Sequence, residues 1–267
     1  MKVMILCGGK GTRLREETEF RPKPLVMVGG KPMLWHIMKL YSYYGFNEFV
    51  VCLGYKGDMI KEYFLKHDES AHDFTLRLAD GVREIKYHDK QSLGWTITFV
   101  DTGLECDTGS RIARAAKHVE GDEEFLVTYG DGIADINVTQ LLEHHRKSNK
   151  MVTVTGVKTT NPFGVLEIID NSVVSFVEKP QSRDWTNGGF FVCNKSIFSY
   201  LDASGSCVFE QGPLNRLARE GQLGVYKHTG FWQGVDTLKH LEGINALYEK
   251  GDRPWMVWEH KAHGGWE

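Results

Sequence analysis

Three glycines and two cations crowd the start of the chain. Gly8, Gly9 and Gly11 follow directly on the apolar run Val3-Met4-Ile5-Leu6, and Arg13 and Lys23 stand just beyond. Glycine lets a backbone come close to a ligand, and successive free N–H groups form a concavity that attracts anions. Arg13 can grip phosphate bidentately, and Lys23 adds a second positive charge. The chemistry on offer is a phosphate grip. A tight strand–helix turn that needs glycine for packing would account for the glycines, though not for the cations.

Four later positions could complete such a site. Asp131 lies between Gly130 and Gly132 after an apolar run, and Asp236 follows Gly234-Val235. One or two carboxylates beside phosphate oxygens suit Mg2+. Plainer roles exist for both, Asp-Gly turn chemistry for Asp131 and helix N-capping for Asp236. Lys179, in Glu178-Lys179-Pro180, presents a point charge at a strand end and suits a phosphate monoester, or else is a solvated surface lysine. Asn187-Gly188-Gly189 offers amide groups and bare backbone to sugar hydroxyls, or is an ordinary loop.

The elements that must position these residues follow from periodicity. Residues 32–44 carry Leu34, Ile37, Met38, Tyr41 and Tyr44 at helical spacing, with Pro32 in the first turn and Gly45 as a stop. Residues 48–53 read as a buried strand, and Asp58 is placed to cap the helix that follows. Further strands are expected at 75–79, 84–87, 96–100, 125–129, 151–157, 189–192 and 225–228, with a hairpin at 164–177 around Asp170-Asn171. Helices are expected at 111–119, after Asn137, at 213–219 and near the C-terminus through Leu238, Leu241, Asn245 and Tyr248. The early β-turn-α-β-α order predicts a parallel sheet with crossover helices. The texture is α/β to about residue 150 and mixed thereafter, without a clean boundary.

Composition narrows the classes. The chain has 267 residues, 41% hydrophobic and 25% charged, with a net charge of −3, so neither nucleic acid nor a membrane surface is an expected partner. No apolar run is long enough to cross a bilayer, and the four-residue run at the start is no signal peptide, so a cytoplasmic location is expected. Five dispersed cysteines without a C-x-x-C pair argue against a disulfide framework or a zinc site. The glycine turn lacks the spacing of a P-loop, and Leu14 stands where a dinucleotide fingerprint needs its third glycine. No histidine is assigned to catalysis, and no Gly-x-Ser-x-Gly elbow is present.

Taken jointly, these stretches resemble the sugar-nucleotide pyrophosphorylases, nucleotidyltransferases acting on sugar 1-phosphates. The resemblance runs from Gly8-Gly9-Lys10-Gly11-Thr12-Arg13-Leu14 and Pro22-Lys23-Pro24 through Tyr129-Gly130-Asp131-Gly132, Glu178-Lys179-Pro180 and Asn187-Gly188-Gly189-Phe190 to Phe231-Trp232 with Val235-Asp236-Thr237. It extends to about Glu259. Leu34-Trp35-His36-Ile37-Met38-Lys39, Gly54-Tyr55-Lys56-Gly57 and Val100-Asp101-Thr102-Gly103 are similar to the members that use CTP and α-D-glucose 1-phosphate. Lys10 and residues 104–110 depart from the pattern.

The resemblance implies a Rossmann-like, mainly parallel sheet flanked by helices, with extra β elements in the C-terminal part. It also implies one domain over 1–259, in which about 1–150 binds nucleotide and about 151–259 completes the sugar-phosphate and metal sites, with 260–267 as a tail. The implied reaction joins CTP and glucose 1-phosphate into CDP-glucose and pyrophosphate, an early step toward CDP-linked deoxysugars of surface polysaccharide such as O-antigen. Leu6, Cys7, Gly8, Gly9, Gly11, Thr12, Arg13, Lys23, Arg111 and Gly130 would bind the nucleotide, with Arg13 and Lys23 catalytic. Arg111 has buried helix lining as its plainer role. Asp131 and Asp236 would hold Mg2+, and Lys179, Glu178, Asn187 and Gly188 would meet the sugar phosphate. A homo-oligomer is implied as well, with a hexamer as the form the resemblance suggests. UTP or dTTP as the nucleotide, and a catalytically silent regulatory subunit, stay open as alternatives. A nucleotide-sugar-dependent glycosyltransferase is disfavoured because Asp131-Gly132-Ile133 stands where an Asp-x-Asp motif would.

Overall fold

The β-branched and aromatic runs become strands, and seven of them form one sheet in the computed structural model, which describes residues 1–67, 71–79, 81–88, 92–160, 163–178, 180–182 and 184–260. In chain order the strands are β1 (Val3–Cys7), β2 (Glu48–Leu53), β3 (Thr96–Asp101), β4 (Glu124–Tyr129), β5 (Val152–Val157), β6 (Thr186–Asn194) and β7 (Leu223–Lys227). Their order across the sheet is β7-β5-β6-β4-β1-β2-β3. β1 lies parallel to β2 and β4, β2 to β3, and β5 to β7; β6 runs antiparallel between β5 and β4. The architecture is the expected mixed, mainly parallel α/β sheet.

All five residues of β1 are buried, because helices cover both faces of the strand. Val3, Ile5 and Cys7 face one core, built with α1 (Met33–Tyr43), α4 (Val138–Ser148) and α6 (Leu238–Glu249). Met4 and Leu6 face the other, built with α3 (Thr108–Arg114), α5 (Pro213–Arg219) and Phe209. The period-two alternation of a strand thus divides one short run between two cores. Trp255 is 1% exposed and packs beside Phe231 and His36, while Trp258 meets Trp35 edge to face at 5.9 Å. The aromatic segment after α6 therefore packs on its own domain; Trp266 lies outside the described residues. Among the described residues no helix is long and apolar enough to cross a membrane.

Several local expectations shift. Asp58 does not cap: α2 (Gly57–Leu65) starts behind Lys56 at φ 50, and Asp58 sits in its first turn, paired with Lys61 at 3.0 Å. Pro32 precedes α1 in an extended conformation and pairs with Met27. The helix expected at 111–119 begins at Thr108 instead, after an extended Asp107, and gives way to a 3-10 turn at Ala116–His118. Its first turn is polar, so apolar periodicity could not show it. Asn137 caps α4 as expected, accepting from the Gln140 N–H at 3.0 Å.

Two hairpins stand away from the sheet. One pairs Phe74–Ala79 with Val82–Tyr87, and the other pairs Val165–Ile169 with Ser172–Val177. The second leaves Ile168 and Phe176 about three-fifths exposed, at 59% and 62%.

Candidate active site

The carboxyl ends of β1 and β4 open with the start of antiparallel β6 on one edge of the sheet, where ligands settle in open α/β sheets. A cavity of about 690 Å³ lies there, within the size range of small-molecule sites. Leu6, Cys7, Gly8, Gly9, Gly11, Thr12, Arg13, Lys23, Arg111, Gly130, Asp131, Asn187, Gly188 and Asp236 all line it. Glu178 does not; its carboxylate lies beside Gly164 at the root of the second hairpin. Lys179 lies outside the described residues.

On the glycine side, the backbone N–H groups of Gly9, Lys10 and Gly11 find no acceptor among the described residues and are open to an anion. The loop is fixed from behind by Arg111, which is 4% exposed. Its Nη2 donates to the Gly8 and Leu104 carbonyls at 3.1 and 3.2 Å. Its Nη1 donates to the Leu53 and Gly103 carbonyls and to Thr102 Oγ1 at 3.1, 2.7 and 2.8 Å. Burial, the largest influence, pulls its pKa down, and the carbonyl cage compensates with dipoles. Gly8 has no alternative, since a Cβ there would sit 2.1 Å from Arg111 Cζ. Arg111 is thus buried in the wall, and it also lines the cavity. Lys10 pairs with Glu105, joining the two stretches that depart from the resemblance.

The two aspartates are brought together by a short ribbon. Gly132–Ala134 pairs antiparallel with Trp232–Gly234, with Gly132 opposite Gly234, and the Val235 N–H donates to the Asp131 carbonyl at 3.0 Å. Thr237, not Asp236, caps α6, through its Oγ1 and the His240 N–H at 3.3 Å. Asp236 is therefore free to turn inward. Lys23 Nζ donates to Asp131 Oδ2 at 2.7 Å and Asp236 Oδ1 at 2.5 Å, and Arg13 Nη2 lies 3.0 Å from the same Asp236 oxygen. Burial alone would raise the Asp236 pKa, but the Lys23 hydrogen bond and charge, with Arg13 and His240, hold it below the usual carboxylate range. The two carboxylates converge on one ammonium, and carboxylate oxygens are the donors that a small divalent cation takes alongside phosphate oxygens and water. Among the described residues no group of three or more His, Cys, Asp or Glu is placed to hold a metal, so the protein's share would be these two.

The opposite wall carries the amides. Trp232 Nε1 donates to the Gly188 carbonyl at 2.8 Å. Asn187 Oδ1 accepts from the Gly189 N–H at 2.8 Å, and its Nδ2 donates to the Tyr129 hydroxyl at 3.2 Å. Gly189 sits at φ +79, where a Cβ would meet Tyr129 Cδ2 at 2.4 Å, so both backbone and space demand glycine. Tyr129 donates to Glu210 Oε1. Burial and then the Glu210 charge push the tyrosine pKa well above its ordinary value, so it remains a donor. Thr108, Tyr129, Glu210 and Trp232 were not foreseen as site residues. Tyr129 and Trp232 at least belong to stretches that carry the resemblance, whereas Glu210 sits in an irregular stretch that carries no signal.

The chain matches the family described as nucleotidyl transferase over residues 2–251. It is 47% identical over 262 residues to a Bacillus subtilis (strain 168) protein described as a probable glucose-1-phosphate cytidylyltransferase, covering 97% of this chain and 100% of that one. It is 45% identical over 260 residues to the glucose-1-phosphate cytidylyltransferase of Salmonella typhimurium, with the same coverages. Among solved structures, HddC from Yersinia pseudotuberculosis complexed with GMP-PN superposes with a TM-score of 0.66 at 23% identity, covering 92% of this chain and 99% of that one. The inositol-1-phosphate CTP transferase from T. maritima gives 0.63 at 16% identity, with coverages of 93% and 95%. These two likenesses establish the fold.

Proposed function

The chain belongs to the nucleotidyl transferase family, and from that premise we propose that it transfers a cytidylyl group from CTP to α-D-glucose 1-phosphate, releasing pyrophosphate and CDP-glucose. One observation carries the reading: Lys23, Asp131, Asp236 and the glycine loop converge on a single cavity in a chain that matches named cytidylyltransferases end to end. A phosphate oxygen of the sugar attacks the α-phosphorus in line. That nucleophile is already an anion, so the site needs no general base, and positioning and charge neutralisation account for the rate.

Each residue then has a task. The N–H groups of Gly9 to Gly11 and the side chain of Thr12 cradle the triphosphate. Arg13 steadies the departing pyrophosphate, and Lys23 neutralises the reacting phosphate. Asp131 and Asp236 are the residues that would hold Mg2+, which when bound supplies charge neutralisation along the phosphate chain. Lys179 takes the sugar phosphate, and Asn187 and Gly188 face the sugar. Glu178 joins them only by a movement of the second hairpin. A cytoplasmic location is supported by the substrates, CTP and glucose 1-phosphate, which are cytoplasmic metabolites.

Copies of the chain associate through the second hairpin, whose apolar side chains are exposed on both of its faces; a contiguous apolar surface of this kind marks an interaction site. The test of the reaction is pyrophosphate release from CTP, UTP or dTTP, each with glucose 1-phosphate and Mg2+. CTP is expected to give the highest kcat/KM. Preference for UTP or dTTP would reassign the base. Nucleotide binding without turnover would make the chain a regulatory subunit.

A further inference from the structure

Glu210 belongs to no motif, yet it stands between the two walls of the cavity. Oε1 accepts from the Tyr129 hydroxyl, and Oε2 accepts from Thr108 Oγ1 at 2.7 Å. Thr108 opens α3 on the nucleotide side, and its hydroxyl oxygen accepts from the Phe209 N–H at 3.0 Å. The directions of these bonds are forced. The Gly189 N–H fixes the Asn187 carboxamide oxygen, so the carboxamide nitrogen must face Tyr129. The tyrosine oxygen then accepts, and its proton must go to Glu210. Thr108 likewise accepts from backbone and gives its proton to the other carboxylate oxygen.

We infer that Glu210 is a positioning residue for the sugar-phosphate half of the reaction: by taking the Tyr129 proton it keeps the tyrosine oxygen as an acceptor that anchors the Asn187 carboxamide nitrogen, and through Thr108 it ties that wall to the nucleotide wall. The inference rests on the proposed reaction, in which Asn187 faces the sugar. The charge matters as much as the shape. A carboxylate accepts at both ends, whereas a carboxamide in its place accepts at only one, and its NH2 end would face a hydroxyl whose oxygen is already engaged. Glu210→Gln therefore reverses one end of the relay while leaving side-chain volume unchanged.

The test uses the full chain and initial rates of pyrophosphate release, varying each substrate at saturating levels of the other. Loss of one charge-assisted hydrogen bond acting through Asn187 predicts that Glu210→Gln raises KM for glucose 1-phosphate about tenfold and moves KM for CTP less than about twofold. Tyr129→Phe should give the same split. The double variant should be no worse than either single one, and Glu210→Gln should add nothing in an Asn187→Ala background, as members of one chain of contacts do. An unchanged KM for the sugar phosphate, equal rises in both KM values, or additive effects would overturn the inference. Should Glu210→Gln fail to fold, Tyr129→Phe and Asn187→Ala carry the same test, and additivity between them would overturn it. An inactive wild type would reject the reaction itself; an active wild type with unshifted variants rejects only the role of Glu210.

Discussion

Lys23 is the residue on which the site turns. With its side chain 8% exposed, it bonds both aspartates and draws Asp131 and Asp236 onto one point. Lys23→Ala would remove the ammonium that the two carboxylates share, leaving Arg13 beside Asp236 alone. Removing a group that neutralises charge in the transition state predicts a loss of roughly 10²–10³ or more in kcat, and Asp131→Asn should do likewise. Pyrophosphate release measures this, with circular dichroism to check that the fold persists; turnover near the wild-type level would contradict the assignment. Because the folded-state pKa of Asp236 is depressed, its contribution to stability is complete above its unfolded pKa of about 4 and is lost as pH falls below that value. Arg13, Lys23, Asp131 and Asp236, which one cavity brings together, were legible because each sits in or beside a motif with a chemical reason. Glu210 was not, because the contacts that give it a role come from Thr108 and Tyr129, far away in sequence.

Most strands were legible to within a residue or two because β-branched runs and alternation mark them directly, although β6 starts at Thr186, three residues before the expected 189. Helix starts were less so: α2 begins without a side-chain cap, and α3 begins in a polar turn. Burial of single polar side chains within a helix was not legible at all. In α1, His36 is 2% exposed; its Nε2 meets the Val28 carbonyl at 2.9 Å, and its Nδ1 has no partner among the described residues. Burial first, and Lys31 to a lesser degree, lower its pKa to about 4 despite the Val28 bond. The unfolded chain therefore takes up a proton near pH 6.5, while the folded chain resists it down to about pH 4. Stability falls across that window, by about 3 kcal/mol from this residue alone. His36→Gln keeps a donor for Val28 without a titrating ring. Urea unfolding at pH 7, 5.5 and 4.5 should show a shallower acid decline for His36→Gln than for wild type; parallel declines would contradict the role assigned to His36.

The whole molecule carries one prediction that local reasoning could not reach. The early β-α-β order anticipated the parallel half of the sheet. The insertion of antiparallel β6 between β4 and β5 was not legible, because strand pairing over long separations leaves no periodic trace. That insertion puts Asn187 and Gly188 on the same edge as the glycine loop, and it leaves the preceding hairpin outside the sheet. The hairpin's strands expose apolar residues to both sides, a costly arrangement for an isolated chain and an ordinary one for a surface covered by another copy. Light scattering should therefore give a mass several times 30.4 kDa, six times being the number the family resemblance implies. Ile168→Asp with Phe176→Asp should bring the mass down to that of one chain. Because Ser172–Val177 continues directly into Glu178 and Lys179, the same double variant should raise KM for glucose 1-phosphate and leave KM for CTP near its wild-type value. A wild type that runs as a single chain at micromolar concentration would refute the assembly. A dissociated variant with unaltered sugar-phosphate kinetics would show that assembly and the sugar-phosphate site are independent.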